Sequence, residues 1–217
     1  MSSRQMAQLA RPVWSQLLER HSVLTDADDV ARVERVASRV VAASNNDPSE
    51  WEVAIVQSDA VDIVALPNKK IAVHSGLLSH TENDDQLAAA IALAVAHVNY
   101  NHYGERYTRS PLADKGLTAA QVAGAYRTDK EAVEALFGVN ERDVQLIPFS
   151  RDHTVAADKF AVRYVARANY DPHEAGRLWR MLQTLDDPRF AQSHPIDETR
   201  LRKLVQEINL LSSAPGQ

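Results

Sequence analysis

The strongest constraint in this sequence is the ten-residue apolar run Leu87–Ala96 (LAAAIALAVA), entered through Asn83-Asp84-Asp85 and followed by His97. Asn and Asp cap the first turn of a helix and place negative charge where its dipole favours it. A membrane-crossing helix needs ~20 apolar residues, so this shorter run reads as a helix buried on all sides inside a folded domain. The rest of the chain must supply its shell. With 217 residues and 45% hydrophobic content, the sequence can do so as one domain (1–217), burying roughly two thirds to three quarters of its unfolded surface. Residues 1–8 and 212–217 are expected to be flexible ends.

Apolar spacing predicts the elements of that shell. Leu9, Val13, Leu17 and Leu18 recur at helical intervals, as do Val30, Val33, Val36, Val40 and Val41 between about Asp26 and Ala43. Asn45-Asn46-Asp47-Pro48 ends the pattern, because proline disfavours helix in the residue before it. From Trp51 the period falls to two. Val53 and Ile55, then Val61, Ile63 and Val64, then Ile71 and Val73 read as three short strands. Helix returns after Gly76, and the apolar helix is expected to run to about His102. Residues 107–149, broken by Pro111, Gly116, Gly138 and Pro148, read as an inserted cover with two modest helices at about 118–126 and 130–137. Further helices are expected from Ser150 to Ala168, from Asp171-Pro172 to about Leu185, and from Pro195 to about Leu211. The fold class is α+β, mainly helical, with a small sheet of three or four strands.

Composition excludes several functions. A formal charge of −5 and a pI near 5.9 leave no basic stripe of the kind that follows a phosphate backbone, so no nucleic acid partner is expected. The absence of cysteine removes disulfides, thiolate metal sites and a cysteine nucleophile without deciding the compartment. The first 20 residues lack the apolar core of about 7 to 15 residues that marks a signal peptide. Ser150 and Thr154 lie close to His153 in sequence, but glycine frames neither hydroxyl as it would a nucleophile elbow.

Several strings, in order, resemble the zinc metallopeptidases related to the heat-shock protease HtpX and the CaaX prenyl endopeptidases. Ala65-Leu66-Pro67 with Lys70-Ile71 and Ser75-Gly76-Leu77-Leu78 looks like that family's NAFALPGGKI…TGLL, with Asp62 at its leading Asn and Asn68-Lys69 at its Gly pair. Asn83-Asp84-Asp85-Gln86-Leu87-Ala88 is similar to the acidic helix start that leads at fixed spacing into H-E-x-x-H, a register falling here on Leu93-Ala94-Val95-Ala96-His97. Asn101-His102-Tyr103-Gly104-Glu105-Arg106 looks like RHGAER, and Ile147-Pro148-Phe149-Ser150-Arg151 with Ala157-Asp158 looks like LPFSRxxExxAD. Asn169-Tyr170-Asp171-Pro172 resembles GYDP, and Ser193-His194-Pro195 with Arg200 resembles THP…R. The resemblance spans about Leu9 to Leu210 and implies a single-domain, zincin-like metallopeptidase fold of the gluzincin type.

In such a fold, two histidines four apart on one helix face share a metal, and the glutamate between them takes a proton from metal-bound water. A catalytic zinc also needs a third protein ligand. Carried onto this sequence, the resemblance puts Leu93 at the first histidine, Ala94 at the base and Thr154 at the third ligand, with His97 alone keeping a donor. One imidazole does not offset the dehydration of zinc. The expected cofactor is therefore none. The expected function is that of a catalytically inactive peptidase-like domain that binds a protein or peptide as a scaffold or regulator. The alternative is a working zinc-dependent metalloendopeptidase with a site rebuilt from His97, His102, His153 and Asp158. Positions five apart on a helix diverge by about 140°, so that convergence requires a distorted helix. Without a metal, His97 reads as a neutral core histidine, His102 as a helix-end residue, and Asp158 as the partner of an arginine such as Arg151 or Arg106.

The resemblance also implies a candidate peptide-binding edge. In active relatives the strand equivalent to Lys70, Ile71, Ala72, Val73 and His74 borders the cleft, where an extended substrate can add as another strand. The resemblance points to a periplasmic or membrane-associated setting. The oligomeric state stays open.

Overall fold

In the computed structural model, which describes residues 1–117, 119–139, 147–185 and 189–213, the apolar run is the axis on which the other elements are hung. Helices α1 (Ser3–Arg20) and α2 (Ala27–Ala43) open the chain, and strands β1 (Glu52–Val56), β2 (Ile63–Leu66) and β3 (Lys70–His74) follow. Helices α3 (Ser75–His80), α4 (Asp84–Asn99), α5 (His102–Tyr107), α6 (Ala119–Thr128), α7 (Lys130–Phe137), α8 (Arg151–Arg167), α9 (His173–Gln183), α10 (Arg189–Ser193) and α11 (Glu198–Ser213) come after the sheet. The fold is thus α+β and mainly helical, with a three-stranded sheet.

Helix α4 begins where the Asn83 side chain accepts from the Gln86 N–H at 2.9 Å, and every residue from Gln86 to His97 is buried. Val36 and Val40 of α2, Ala161 and Val165 of α8, and Leu178 of α9 share one apolar core with it. Leu87, Ile91 and Val95 are wholly buried, each contributing roughly 1.5–3 kcal/mol by leaving water. Among the described residues, no helix is long and apolar enough to cross a membrane.

The strand order is β1-β3-β2, with β1 parallel and β2 antiparallel to β3. Ile63, Ala65, Ile71 and Val73 face the α4 core, while Val64, Leu66 and Ala72 face Met6, Leu9 and Val13 of α1. Burial on both faces explains why β2 and β3 read as nearly continuous apolar runs. The order also corrects one expectation. Lys70–His74 is the central strand, its main-chain groups taken by β1 on one side and β2 on the other. The resemblance implies a strand at the border of the cleft but does not fix its neighbours, and here the Pro67–Lys69 turn folds β2 onto one side of β3 while β1 pairs with the other.

Three boundaries also differ from expectation. Residues 1–8 are not a loose end: Ser2 and Gln5 form a capping box, α1 starts at Ser3, and Met6 is fully buried. Of the other expected flexible end, α11 takes in residues 212–213, and residues 214–217 lie outside the described residues. Helix α4 stops at Asn99 because Asn101 adopts the left-handed conformation (φ 52°) and α5 starts in a new direction. Gly104 in α5 accommodates a close approach, since a Cβ there would stand 2.7 Å from the Met1 carbonyl oxygen. Helix α10, five residues long, is too short to leave a periodic signal. In the segment read as a cover, α6 and α7 pack on α1; residues 118 and 140–146 lie outside the described residues.

Candidate functional site

Leu93 and Ala94 are adjacent on α4 and His97 lies one turn after Leu93, so Leu93 and His97 share a face. All three are buried. Helix α8 packs along α4 and brings Thr154 and Asp158, both buried, into the same interior. The Thr154 hydroxyl donates to the Ser150 carbonyl at 2.9 Å, a local bond that holds it against its own helix.

The break at Asn101 decides where His102 goes. A continuous helix would turn it away from His97, but α5 returns it, and the two Nδ1 atoms lie 3.2 Å apart. Two neutral rings can share one proton across such a gap, and two cations cannot. His102 stacks on His153, ring centroids 4.7 Å apart, and His153 Nε2 pairs with the Glu105 carboxylate. The structure therefore brings three of the four proposed members, His97, His102 and His153, into one chain of contacts.

Asp158 belongs to a different arrangement. Its carboxylate accepts from Arg200 Nε at 2.6 Å and Nη2 at 2.9 Å. The expected partners were Arg151 and Arg106; instead Arg151 pairs with Asp197, and Arg106 lies over the Phe149 ring. Arg200 wins because it sits buried in the first turn of α11, beside α8, whereas Arg151 sits exposed at the start of α8.

His194 is a member that sequence reasoning did not count. Its ring lies edge-on to His97 with centroids 5.1 Å apart, and its Nδ1 is 2.8 Å from the Ser193 hydroxyl. Phe149 lies tilted against His97, ring centroids 3.8 Å apart. Both residues sit inside strings already picked out, Ile147-Pro148-Phe149-Ser150-Arg151 and Ser193-His194-Pro195, so their position in the family pattern was the available signal.

This interior does not favour charge. Burial holds His97 well below the ordinary imidazole range, and the neighbouring His194 and His102 depress it further. Burial does the same to His194, followed by Arg200. His102 is lowered to about 4 by burial and by His153, against the pull of Glu105. At neutral pH these three are neutral rings. Arg106 is brought down to about 10 by burial, which leaves it a cation. The Nε2 of His97 is buried and has no hydrogen-bond partner among the described residues. Among those residues, no group of three or more His, Cys, Asp or Glu side chains is placed to hold a metal ion.

A buried helix backed by a small mixed sheet, with a second helix packed along it at the positions the resemblance assigns to metal ligands, defines a metallopeptidase-type scaffold. The model for Peptidase family M48 matches residues 27–208, and the chain belongs to that family. The chain is 28% identical over 181 residues to the mitochondrial metalloendopeptidase OMA1 of Schizosaccharomyces pombe, covering 80% of this chain and 51% of that protein. It is 27% identical over 176 residues to the OMA1 of Arabidopsis thaliana, covering 80% of this chain and 34% of that protein. To the putative beta-barrel assembly-enhancing protease of Vibrio cholerae it is 24% identical over 198 residues, covering 84% of this chain and 40% of that protein. The chain thus spans about half or less of the length of these relatives.

Proposed function

We propose that this domain is a catalytically inactive member of its family that acts by binding a protein or peptide, in a scaffold or regulatory role. The supporting observation is the set Leu93, Ala94 and Thr154, two hydrocarbon side chains and a hydroxyl bonded to its own helix, at the positions where the resemblance implies two zinc ligands and the base. A catalytic zinc takes three protein ligands and keeps a fourth position for water. The donors on α4 and α8 do not fit that requirement, because His97 alone supplies a ring nitrogen at the expected register. Without a Lewis acid and a placed base, no step of this class lowers the barrier to amide hydrolysis. The relatives are named as proteases, which makes a protein the natural class of partner.

A second reading rests on one distance. The 3.2 Å between the Nδ1 atoms of His97 and His102 is about what two imidazoles on one tetrahedral zinc would show, each ~2.0–2.1 Å from the ion. On that reading the domain is a zinc-dependent metalloendopeptidase with a rebuilt site. Elemental analysis of protein purified without chelator, paired with cleavage of an unfolded protein substrate, separates the two. The inactive reading expects zinc far below one per chain and no cleavage. Near-stoichiometric zinc with chelator-sensitive cleavage overturns it.

A further inference from the structure

With β3 enclosed, the sheet offers its edges elsewhere, and the outer side of β1 has the features of a receptor for an extended chain. The Glu52 N–H donates to the Lys69 carbonyl at 3.0 Å, which fixes the alternation of the parallel ladder. Glu52, Ala54 and Val56 turn their main-chain groups toward β3, and Val53 and Ile55 turn theirs outward. The chain itself begins to cover this edge. Leu24 N–H donates to the Ile55 carbonyl at 2.9 Å, Gln57 N–H donates to the Ser22 carbonyl at 2.8 Å, and Val23 stands opposite Val56 in antiparallel pairing. After Leu24 the chain turns away into α2, and Val53 lies beyond the covered stretch.

Beside Val53, two cavities of about 310 Å³ and 340 Å³ meet, with Glu34 and Val53 in the walls of both. One is walled by Val23, Val30 and Ile55, the other by Val41 and Trp51, so they form a single strip between α2 and the β1 edge. Val23, 43% exposed, borders the first of these cavities. Glu34 stands exposed at the junction and makes no ion pair among the described residues. An open edge with apolar recesses and one unpaired carboxylate specifies an occupant.

We propose that β1 and α2 form a docking groove for an extended, apolar protein segment carrying a basic residue. The segment adds antiparallel to β1 at Val53, continues the pairing that Val23 and Leu24 begin, sets alternate apolar side chains in the two cavities, and places a Lys or Arg against Glu34. The proposal deepens the binding reading above and rests on its binding half alone.

The test uses the isotopically labelled chain and a capped heptapeptide, Thr-Val-Thr-Lys-Thr-Val-Thr, which puts Lys and both Val on one face of the strand, with a counterpart carrying Glu at its centre. Amide shifts are expected at residues 23–24, 30–38 and 51–55. The Glu peptide should bind about fivefold more weakly, the upper end for an exposed ion pair. Glu34→Lys should reverse that order. Val53→Pro should abolish the shifts by removing an outward N–H, and the surface variant Glu34→Lys carries the test if the proline variant does not fold. Equal binding of both peptides, shifts confined to residues 63–66 or to α4 and α8, or no shift at all would overturn the proposal. So would the same shifts appearing with protein concentration alone, which would make a second copy the occupant. A groove that fails in these ways leaves the zinc and cleavage results standing separately, so the two readings fail independently.

Discussion

Asp158 and Arg200 form a two-pronged ion pair sealed inside the protein, with N···O distances of 2.6 and 2.9 Å and side chains 4% and 2% exposed. Arg200 also donates to the carbonyls of His194 at 2.9 Å and Pro195 at 3.2 Å. One guanidinium therefore joins α8, α11 and the loop that carries His194 against His97.

Arg200→Met should destabilise the fold by about 3–5 kcal/mol, because it leaves a carboxylate buried without its partner. Replacing both groups, Asp158→Leu with Arg200→Met, should recover much of that loss, since a well-packed apolar pair of similar volume is often neutral. Urea unfolding of the two variants measures the difference. A single variant within about 1 kcal/mol of the natural chain would mean the pair is not sealed as described.

The histidine cluster makes stability depend on pH with a definite sign. His97, His194 and His102 have folded pKa values below the ordinary 6.5, His102 at about 4. The unfolded chain therefore binds more protons than the native one below the ordinary value, and stability rises with pH there. It should be fully present above about 6.5, fall as pH drops below it, and lose the His102 share as pH approaches about 4. Thermal unfolding at about pH 7.5 and about pH 5 should show a lower midpoint at the acid value. His97→Phe should flatten the dependence. A midpoint that does not move between the two would contradict the buried, neutral cluster.

What the sequence showed of this architecture follows the range of the signals. Local period located α2, α4, α8 and the strands within a few residues, since burial of one face or of a whole element is written into consecutive positions. Strand order is not local, and Lys70–His74 was placed at an edge when it is central. The alignment of family strings identified Leu93, Ala94, His97 and Thr154 in one interior. It did not reveal that Asp158 pairs with Arg200, 42 residues away, or that His194 closes on His97, because those contacts depend on how α8, α10 and α11 meet. The end of α4 was missed for a smaller reason: Asn101 can continue a helix or break it, and only its surroundings choose.

That break has its own test. Asn101 has φ 52° and ψ 33°, and its side chain donates to the Met1 carbonyl at 3.3 Å. Asn101→Val should cost roughly 1–2 kcal/mol, since a β-branched residue resists the left-handed region. Asn101→Gly should lose only the side-chain bond, about 1 kcal/mol. The valine variant should also shift the ring signals of His102, which depends on the break to face His97. If both variants unfold alike and the ring signals stay in place, the reversal at Asn101 does not position His102.

The most informative experiment rebuilds what the family register implies. Leu93 and His97 lie one turn apart on one face of α4, and Thr154 lies on α8, the helix packed along it. The triple variant Leu93→His, Ala94→Glu, Thr154→Glu supplies two imidazoles, a base and a carboxylate ligand on that scaffold. Without metal it should be less stable by several kcal/mol, roughly the cost of removing a buried leucine and placing polar groups among apolar ones. Zinc should then raise its unfolding midpoint with about one ion per chain, because binding to the folded state alone adds to its stability. On the inactive reading the natural chain should show no such rise, because Leu93 and Thr154 stand where that register needs ligands. A folded triple variant that ignores zinc would mean the register through Leu93-Ala94-Val95-Ala96-His97 is misplaced. A natural chain that responds as strongly as the variant would mean the histidines facing His97 already form a site, and the inactive reading would be wrong.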